Sequence, residues 1–240
     1  MIGIICAMEI EIEKIREGMT DITEEKHAGV VYTLGKKKGM DVVMAVSGAG
    51  KVFAAICTQA MIDNFHPDVI LNVGVAGSLS QDLSVGDIVI ADQLVQHDMD
   101  VTALGLKKGQ LFGSDYRFFP ANSKVIDLIK ECLELVNLER EKERKKALHA
   151  IKGTVASGDV FVADSELKKS IVDEFQAVAC EMEGAAIAQV CCVNEIRFGV
   201  IRAISDSANE SSTMDFGTFC KMAADNTAEL VDVFIGRYGR

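Results

Sequence analysis

The sequence has 240 residues, 49% of them hydrophobic, and a formal net charge of −11 at pH 7. This length and hydrophobic content suffice for the core of a medium-sized α/β domain, and we expect a single domain over residues 1–240. The acidic balance argues against nucleic acid or an anionic membrane as a partner and favours a small ligand.

The seven cysteines indicate reduced thiols. They include no C-x-x-C pair, and Cys191 and Cys192 are adjacent, which is untypical of a secreted disulfide framework. The apolar start of the chain turns acidic too early for a signal peptide, and no later apolar run is long enough to cross a bilayer. We therefore expect a cytoplasmic protein.

Short β-branched runs alternate with amphipathic segments along the chain. Several of the runs are apolar on both faces, and strands are predicted at residues 2–6, 42–47, 68–74, 86–91, 152–158, 177–180 and 198–205. Helices are predicted at residues 9–18, 51–64, 122–148, 165–174, 183–194 and 215–236. Strands buried on both faces belong in a sheet covered by helices. The order predicts an α/β fold, a three-layer α/β/α sandwich with a central mixed, largely parallel sheet.

Acidic residues follow three of the predicted strands. Glu11 follows the first strand, Glu181 and Glu183 follow residues 177–180, and Asp206 ends the segment "RAISD". An acid at a helix N-terminus is often only a cap or a partner of the helix dipole. Ligands of open α/β sheets, however, bind where the carboxyl ends of strands converge, so acids at three such ends favour a binding site.

Arg202 lies inside an apolar strand, where an unpaired guanidinium is costly, so it requires a carboxylate or a polar pocket. The alternative is that Arg202 forms an ion pair with a structural role only. The carboxylates that could serve as its partner are those at the neighbouring strand ends.

Three other motifs do not support a cofactor. "SGAGKV" lacks the glycine spacing and the hydroxyl residue of a P-loop, and "NVGVAGSL" has Asn72 where a dinucleotide fingerprint needs glycine. "HDMD" contains metal-ligand residue types without a supporting His or Cys cluster. We expect a structural loop there, no metal and no cofactor.

Seven motifs occur in order along nearly the whole chain: "GIICAMEIE", "SGAGKV", "HPDVILNVGVAGSL" with "VGDIVIAD", "HDMDVTALG", "ASGDVFV", "CEMEGAAIAQVC" and "RAISDSAN". Together they closely resemble the 5′-methylthioadenosine/S-adenosylhomocysteine nucleosidases of the nucleoside phosphorylase superfamily. The resemblance implies a homodimeric hydrolase of methionine salvage. Such an enzyme cleaves the N-glycosidic bond between adenine and a 5′-thio-substituted ribose, without a cofactor.

The resemblance also implies roles for individual residues. Asp206 would protonate adenine N7, Glu11 would activate the attacking water, and Glu183 would accept hydrogen bonds from the ribose hydroxyls. The other substrate-binding residues that it implies are Met8, Ala76, Phe161, Val162, Met182, Arg202, Ser205 and Phe216. Among these, Phe161 would stack on adenine, the Val162 main chain would bind its edge, and Met182 would lie against the sugar.

Some positions depart from the family pattern. Val75 replaces a common serine, Ala49 replaces a larger aliphatic residue, and Leu104 and Phe112 stand where the family often has an aromatic residue and a proline. In the family, the positions of Leu104 and Phe112 reach across the dimer into the neighbouring 5′-substituent pocket. These departures bear on the preferred 5′-group more than on the reaction.

The chemistry itself requires an acid on the side of the base and a carboxylate on the side of the water, as in inverting glycoside hydrolysis. Two alternatives stay open. A phosphorylase would need Arg or Lys around phosphate, and the Glu11 carboxylate would repel that dianion. A catalytically silent nucleoside-binding protein could use the same fold. The rank order of methylthioadenosine, S-adenosylhomocysteine, 5′-deoxyadenosine and aminofutalosine also stays open.

Overall fold

A computed structural model describes residues 1–209 and 212–239. Within these residues the strands are β1 (Ile2–Cys6), β2 (Thr20–His27), β3 (Val30–Lys37), β4 (Met40–Val46), β5 (Val69–Ser78), β6 (Ile88–Gln96), β7 (Phe119–Pro120), β8 (Ala150–Ser157), β9 (Ala179–Glu181) and β10 (Arg197–Asp206). The α-helices are α1 (Glu9–Arg16), α2 (Lys51–Phe65), α3 (Ser123–Lys142), α4 (Ser165–Phe175), α5 (Gly184–Val193) and α6 (Ser212–Arg237).

The strands form one mixed sheet with two parallel blocks. The first block is β4, β1, β5 and β10, and the second is β6, β8 and β9. Antiparallel pairing of β10 with β6 and of β5 with β9 joins the blocks, so that this part of the sheet closes on itself. The antiparallel strands β3 and β2 extend the other end, beyond β4.

Helices cover the sheet. α1 and α3 each pack against α6 on one side, α2 and α5 pack together on the other, and α4 packs near β8. The predicted three-layer α/β/α architecture is confirmed. A hydrophobic core with side chains from Ile2 to Ile235 supports the single-domain organisation, which stays a prediction.

One pair of strands was not predicted, and one predicted helix is too long. The hairpin of β2 and β3 was not expected, because β2 is polar and exposed along almost its whole length and shows no alternation. The helix predicted at residues 122–148 ends at Lys142, since Arg144 adopts a left-handed conformation with φ of 57°. The chain then enters β8 at Ala150.

The two central strands carry the site. β5 and β10 run side by side and are buried over almost their whole length. The register between them shifts between Ile204 and Asp206, which marks a β-bulge at Ser205. Bulges redirect side chains next to active sites, and this one brings two consecutive residues, Ser205 and Asp206, to the same cavity.

Two further observations concern the helices and the cysteines. Throughout the described part of the chain, the helices are too short or too polar to span a membrane. All seven cysteines are free thiols.

Candidate active site

A cavity of about 200 Å³ opens at the carboxyl ends of β1, β5, β9 and β10. Four acidic residues line it, and apolar side chains form most of the remaining wall. The lining residues are Ala7, Met8, Glu11, Ala49, Val75, Ala76, Gly77, Phe161, Cys180, Glu181, Met182, Glu183, Ser205, Asp206 and Phe216.

Glu11 is held by the main chain from two directions. Its Oε2 accepts hydrogen bonds from the N–H groups of Ala7 and Met8, both at 2.9 Å, at the start of α1. Its Oε1 accepts the N–H of Val75, on β5, also at 2.9 Å. A carboxylate has about four lone-pair sites, so roughly one remains for a ligand or a water.

The surroundings of Glu11 favour a proton acceptor. Burial raises the pKa of Glu11, and the nearby Arg202 charge and the three main-chain N–H groups oppose that rise without cancelling it. A carboxylate with a raised pKa is a stronger base than an exposed one. Glu11 can therefore take a proton while its position stays fixed.

Glu183 is the N-cap residue of α5, but its side chain does not cap that helix. Its Oε1 instead accepts the N–H of Gly50, at 2.8 Å, from the loop before α2. Burial raises the pKa of Glu183 to about 7, the Glu181 charge adds to the rise, and the Arg202 charge opposes it. At neutral pH this carboxyl group is therefore close to its titration midpoint.

Glu181 performs the capping that Glu183 does not. Its Oε2 accepts the N–H groups of Glu183, at 3.0 Å, and Gly184, at 2.7 Å. The Ser157 hydroxyl donates to its Oε1 and itself accepts the N–H of Ala185, at 2.7 Å. Four polar contacts thus fix the first turn of α5, and with it the position of Glu183.

Arg202 lies behind the cavity wall. It is fully buried, and its Nη2 donates to Glu181 and to the Asn72 side chain. Burial opposes its charge, but the carboxylates of Glu181, Glu183 and Glu11 hold its pKa above the usual value. A carboxylate or a polar pocket around this guanidinium was expected from the sequence, and Glu181 is that carboxylate.

Asp206 ends β10 on the opposite side of the cavity. Its Oδ1 accepts the N–H of Ala208, at 2.9 Å, and its Oδ2 accepts the Ser205 hydroxyl, at 2.9 Å. Asp206 pairs in register with Gly77, whereas Glu11 is bound at Val75. These two points of β5 are two residues, roughly 7 Å, apart along the strand.

Aromatic rings from two separate elements form the apolar wall. Phe161, in the loop after β8, and Phe216, on α6, are in edge contact with ring centroids 5.9 Å apart. Phe161 is 45% exposed, so that a face of its ring is available to a planar ligand. Met8 and Met182 complete this wall.

A polar network ties the surrounding loops together. The Lys51 ammonium donates to Asp98 at 2.6 Å, and the Lys51 N–H donates to Asp159 at 2.7 Å. The Asp159 N–H in turn donates to Asp98 at 3.0 Å. The "HDMD" segment is thus engaged with Lys51, and the network joins the loop of Gly50 to the loop of Phe161.

The structure brings most of the predicted site residues to the cavity. Glu11, Asp206 and the predicted binding residues Met8, Ala76, Phe161, Met182, Glu183, Ser205 and Phe216 line it. Arg202 and Val162 are buried and do not line it, so that Arg202 acts on the site through Glu181. Leu104 and Phe112 are exposed, at 64% and 72%, and lie outside this cavity.

Six lining residues were not predicted as site residues, although three of them, Ala49, Val75 and Glu181, were discussed. The other three are Ala7, Gly77 and Cys180. Each is adjacent in sequence to a residue that was predicted or discussed, so proximity along the chain was the available signal. Their small side chains gave no chemical signal of their own.

The comparisons with known proteins agree with this geometry. Residues 1–236 match the phosphorylase superfamily. The 5′-methylthioadenosine/S-adenosylhomocysteine nucleosidase of Shewanella loihica is 38% identical over 231 residues, which are 96% of each chain. The crystal structure of the nucleosidase of that name from Neisseria meningitidis, in complex with methylthio-immucillin-A, has a TM-score of 0.89 and 37% identity over 98% of both chains. Futalosine hydrolase of Helicobacter pylori also has a TM-score of 0.89, with 35% identity over 98% of this chain and 96% of its own.

Proposed function

The chain belongs to the phosphorylase superfamily and, within it, to the 5′-methylthioadenosine/S-adenosylhomocysteine nucleosidases, and we propose that Asp206 and Glu11 perform its N-ribosyl hydrolysis. The substrates are 5′-methylthioadenosine and S-adenosylhomocysteine, and the products are adenine and the 5-thio-substituted ribose. The observation that carries this assignment is that Glu11, on α1, and Asp206, at the end of β10, enter one cavity, which Glu183 also lines while it accepts the Gly50 N–H.

In this mechanism Asp206 donates its proton to N7 of adenine as the glycosidic bond breaks. The leaving base then departs as a neutral molecule, and positive charge develops on the ribose. Glu11 accepts a proton from the attacking water. Three main-chain hydrogen bonds hold the Glu11 carboxylate, so no side-chain rearrangement is needed during the reaction.

Glu183 binds the ribose. Its carboxylate accepts hydrogen bonds from sugar hydroxyls. The Gly50 N–H, which donates to Glu183 Oε1, keeps the carboxylate directed into the cavity. Phe161 stacks on adenine, Phe216 and Met8 pack around the nucleoside, and Met182 contacts the sugar. Val162 contributes only through its main chain, because its side chain is buried.

Water is a better nucleophile here than phosphate. Phosphorolysis requires cationic donors at the nucleophile position, and no Lys or Arg is among the described residues that line the cavity. The Arg202 guanidinium is engaged by Glu181 and Asn72. The negative charge of Glu11 would repel a phosphate dianion.

A second candidate substrate is futalosine or its 6-amino analogue. The similarity to futalosine hydrolase supports it, as do the small Ala49 and the hydroxyl-free Val75 at the cavity wall. The catalytic residues would be the same, because the bond that breaks is again N-glycosidic. Only the group at the 5′-position differs.

We also propose that two copies associate. A groove beside the site is lined by charged and polar residues, among them Glu9, Arg16 and Glu24, and by apolar ones, Val30, Val31, Val46, Phe53 and Ile56. Leu104 and Phe112 offer exposed apolar side chains that the apolar part of such a groove would bury. Light scattering should give the mass of a dimer, and Phe53→Asp should give a monomer with weaker substrate binding. A wild-type monomer that is fully active would exclude this arrangement.

One assay tests the reaction. The protein is incubated with methylthioadenosine in phosphate-free buffer, and released adenine is measured; S-adenosylhomocysteine and 6-amino-6-deoxyfutalosine are compared in parallel. Release without phosphate supports hydrolysis, release that needs phosphate supports a phosphorylase, and binding without release from any of the three supports a silent binding protein. Asp206→Asn should keep the fold and lose most activity; near wild-type turnover would remove Asp206 from its role. The cytoplasmic location and the place in methionine salvage stay predictions.

A further inference from the structure

Lys168, on α4, binds the main chain at the ends of the two central strands. Its ammonium donates hydrogen bonds to the carbonyl oxygens of Ser78, at 2.8 Å, and Ser207, at 2.7 Å. Ser78 is the last residue of β5, and Ser207 directly follows Asp206, the last residue of β10. One cation therefore joins the two strand ends, on the residue that follows Asp206.

The charge of Lys168 is not neutralised by a carboxylate. Among residues 1–209 and 212–239 it forms no salt bridge, whereas its neighbour Lys169 pairs with Asp173. Lys168 is also half-buried, while Lys169 is exposed. An unpaired charge that is partly removed from water is weakly screened, so it acts over a longer distance than a surface ion pair.

The charges of Asp206 and Lys168 both affect the buried Cys180 thiol. A Cβ atom added at Gly77 would lie 2.9 Å from Asp206 Oδ1, and the Cys180 thiol donates to the Gly77 carbonyl at 3.7 Å. Burial raises the pKa of Cys180, the charges of Asp206 and Glu181 raise it further, and the charge of Lys168 lowers it. Both charges thus influence one sulfur atom beside Gly77.

We propose that Lys168 is a positioning residue for Asp206, which holds the ends of β5 and β10 together and stabilises the aspartate anion formed on proton transfer to the base. This inference rests on the proposed function, in which Asp206 is the acid. Without the ammonium, the carboxyl group stays in the cavity but its anion is less favourable. Proton donation then slows.

The other groups around Asp206 do not supply this charge. The Ser205 hydroxyl is on the same strand, Cys180 is on β9, and Cys220 is on α6, where burial raises its pKa to about 11. Both thiols are therefore neutral near pH 7. Glu11, which also acts on Cys220, is a second carboxylate and has the opposite sign.

The test compares Lys168→Met with Lys168→Arg, and uses Lys169→Met as the matched control on the adjacent residue. The kcat and KM for methylthioadenosine are measured separately for each variant. We expect Lys168→Met to lower kcat about tenfold or more and to leave KM within about twofold of the wild type. Arginine should restore kcat, and the control should match the wild type.

Two outcomes overturn the proposal. One is a folded Lys168→Met variant within about twofold of the wild type. The other is lower activity that arises chiefly from KM or that arginine does not restore, which would mean a structural role only. If the methionine variant does not fold by circular dichroism, Lys168→Gln takes its place, and failure of both to fold would likewise overturn it. A wild type that releases no adenine would instead overturn the proposed function.

Discussion

The Arg202 guanidinium and the Glu181 carboxylate form an ion pair whose side chains are 1% and 3% exposed. The pair lies directly behind the cavity, and the same carboxylate caps α5 through the N–H groups of Glu183 and Gly184. Glu181 therefore connects a buried charge on β10 with the first turn of α5, beside Glu183, the residue proposed to bind the ribose.

Glu181→Gln should destabilise the protein by about 3–5 kcal/mol, because the Arg202 charge stays buried without its partner. Urea denaturation measures this loss. The double variant Glu181→Met/Arg202→Met should recover much of it, since neither charge remains. If the losses of the single variants simply add in the double variant, the two residues are not energetically coupled.

Glu181→Gln should also change the pH dependence of binding. The Glu181 charge raises the pKa of Glu183, so its removal should lower that pKa below about 7. The acidic limb of 1/KM, which reports the Glu183 carboxylate, should then move to lower pH. An unmoved limb would show that the two carboxylates titrate independently.

Glu183 should make the free energy of unfolding depend on pH. Its pKa is raised from about 4.5 to about 7 in the folded protein, so the folded state keeps a proton that the unfolded state has lost in this window. Stability therefore falls as pH rises from about 4.5 to 7, by on the order of 3 kcal/mol from this group. Urea denaturation at pH 5 and pH 8 should show a smaller difference for Glu183→Gln than for the wild type. The exposed Glu134→Gln should behave as the wild type; an equal slope for all three would remove this assignment.

Gly74→Ala should impair both folding and catalysis. A Cβ atom at this position of β5 would lie 2.4 Å from Arg202 Nη1 and 2.6 Å from Glu11 Oε1. Overpacking of this kind costs about 1–3 kcal/mol, and the displaced Glu11 should lower kcat. Gly217→Ala, where the added methyl group meets no atom within 4 Å, is the control and should keep full activity. A thermal melt measures the stability, and an adenine-release assay measures kcat. An active and stable Gly74→Ala variant would contradict this close packing of Gly74 against Arg202 and Glu11.

Val75→Ser should raise kcat/KM a few-fold. The Val75 side chain lines the cavity while its N–H binds Glu11, so a hydroxyl there would add about one hydrogen bond, worth roughly 1 kcal/mol, near the water or the ribose. Val75→Ala removes the same two methyl groups without adding a donor and should not show the gain. Equal effects of both substitutions would mean that cavity size, and not the hydroxyl, determines the rate.

The sequence predicted the acids better than the contacts between them. Glu11, Glu183 and Asp206 were found because each follows a recognisable apolar strand, a signal that is local in sequence. The division of roles between Glu181 and Glu183 depends on Ser157 and Arg202, which come from two other strands. Such contacts depend on strand order, which no single segment encodes.

The contacts of Lys168 and the closed part of the sheet could not be predicted from the sequence for the same reason. Lys168 belongs to an amphipathic helix, and a helical pattern does not distinguish it from the exposed Lys169. The pairing of β10 with both β5 and β6 joins segments far apart in the chain. The hairpin of β2 and β3 escaped prediction for the opposite reason, since β2 buries little and so carries no hydrophobic pattern.

Closure at one end leaves the sheet, within the described residues, with one long free edge, which is β2. A free edge strand is a template on which a second chain can add and start aggregation. Seven of the eight residues of β2 are exposed, and Asp21, Glu24 and Glu25 outnumber the single Lys26. Two molecules that approach along this edge bring like charges together, so the hairpin should keep concentrated solutions of the protein free of fibrillar association.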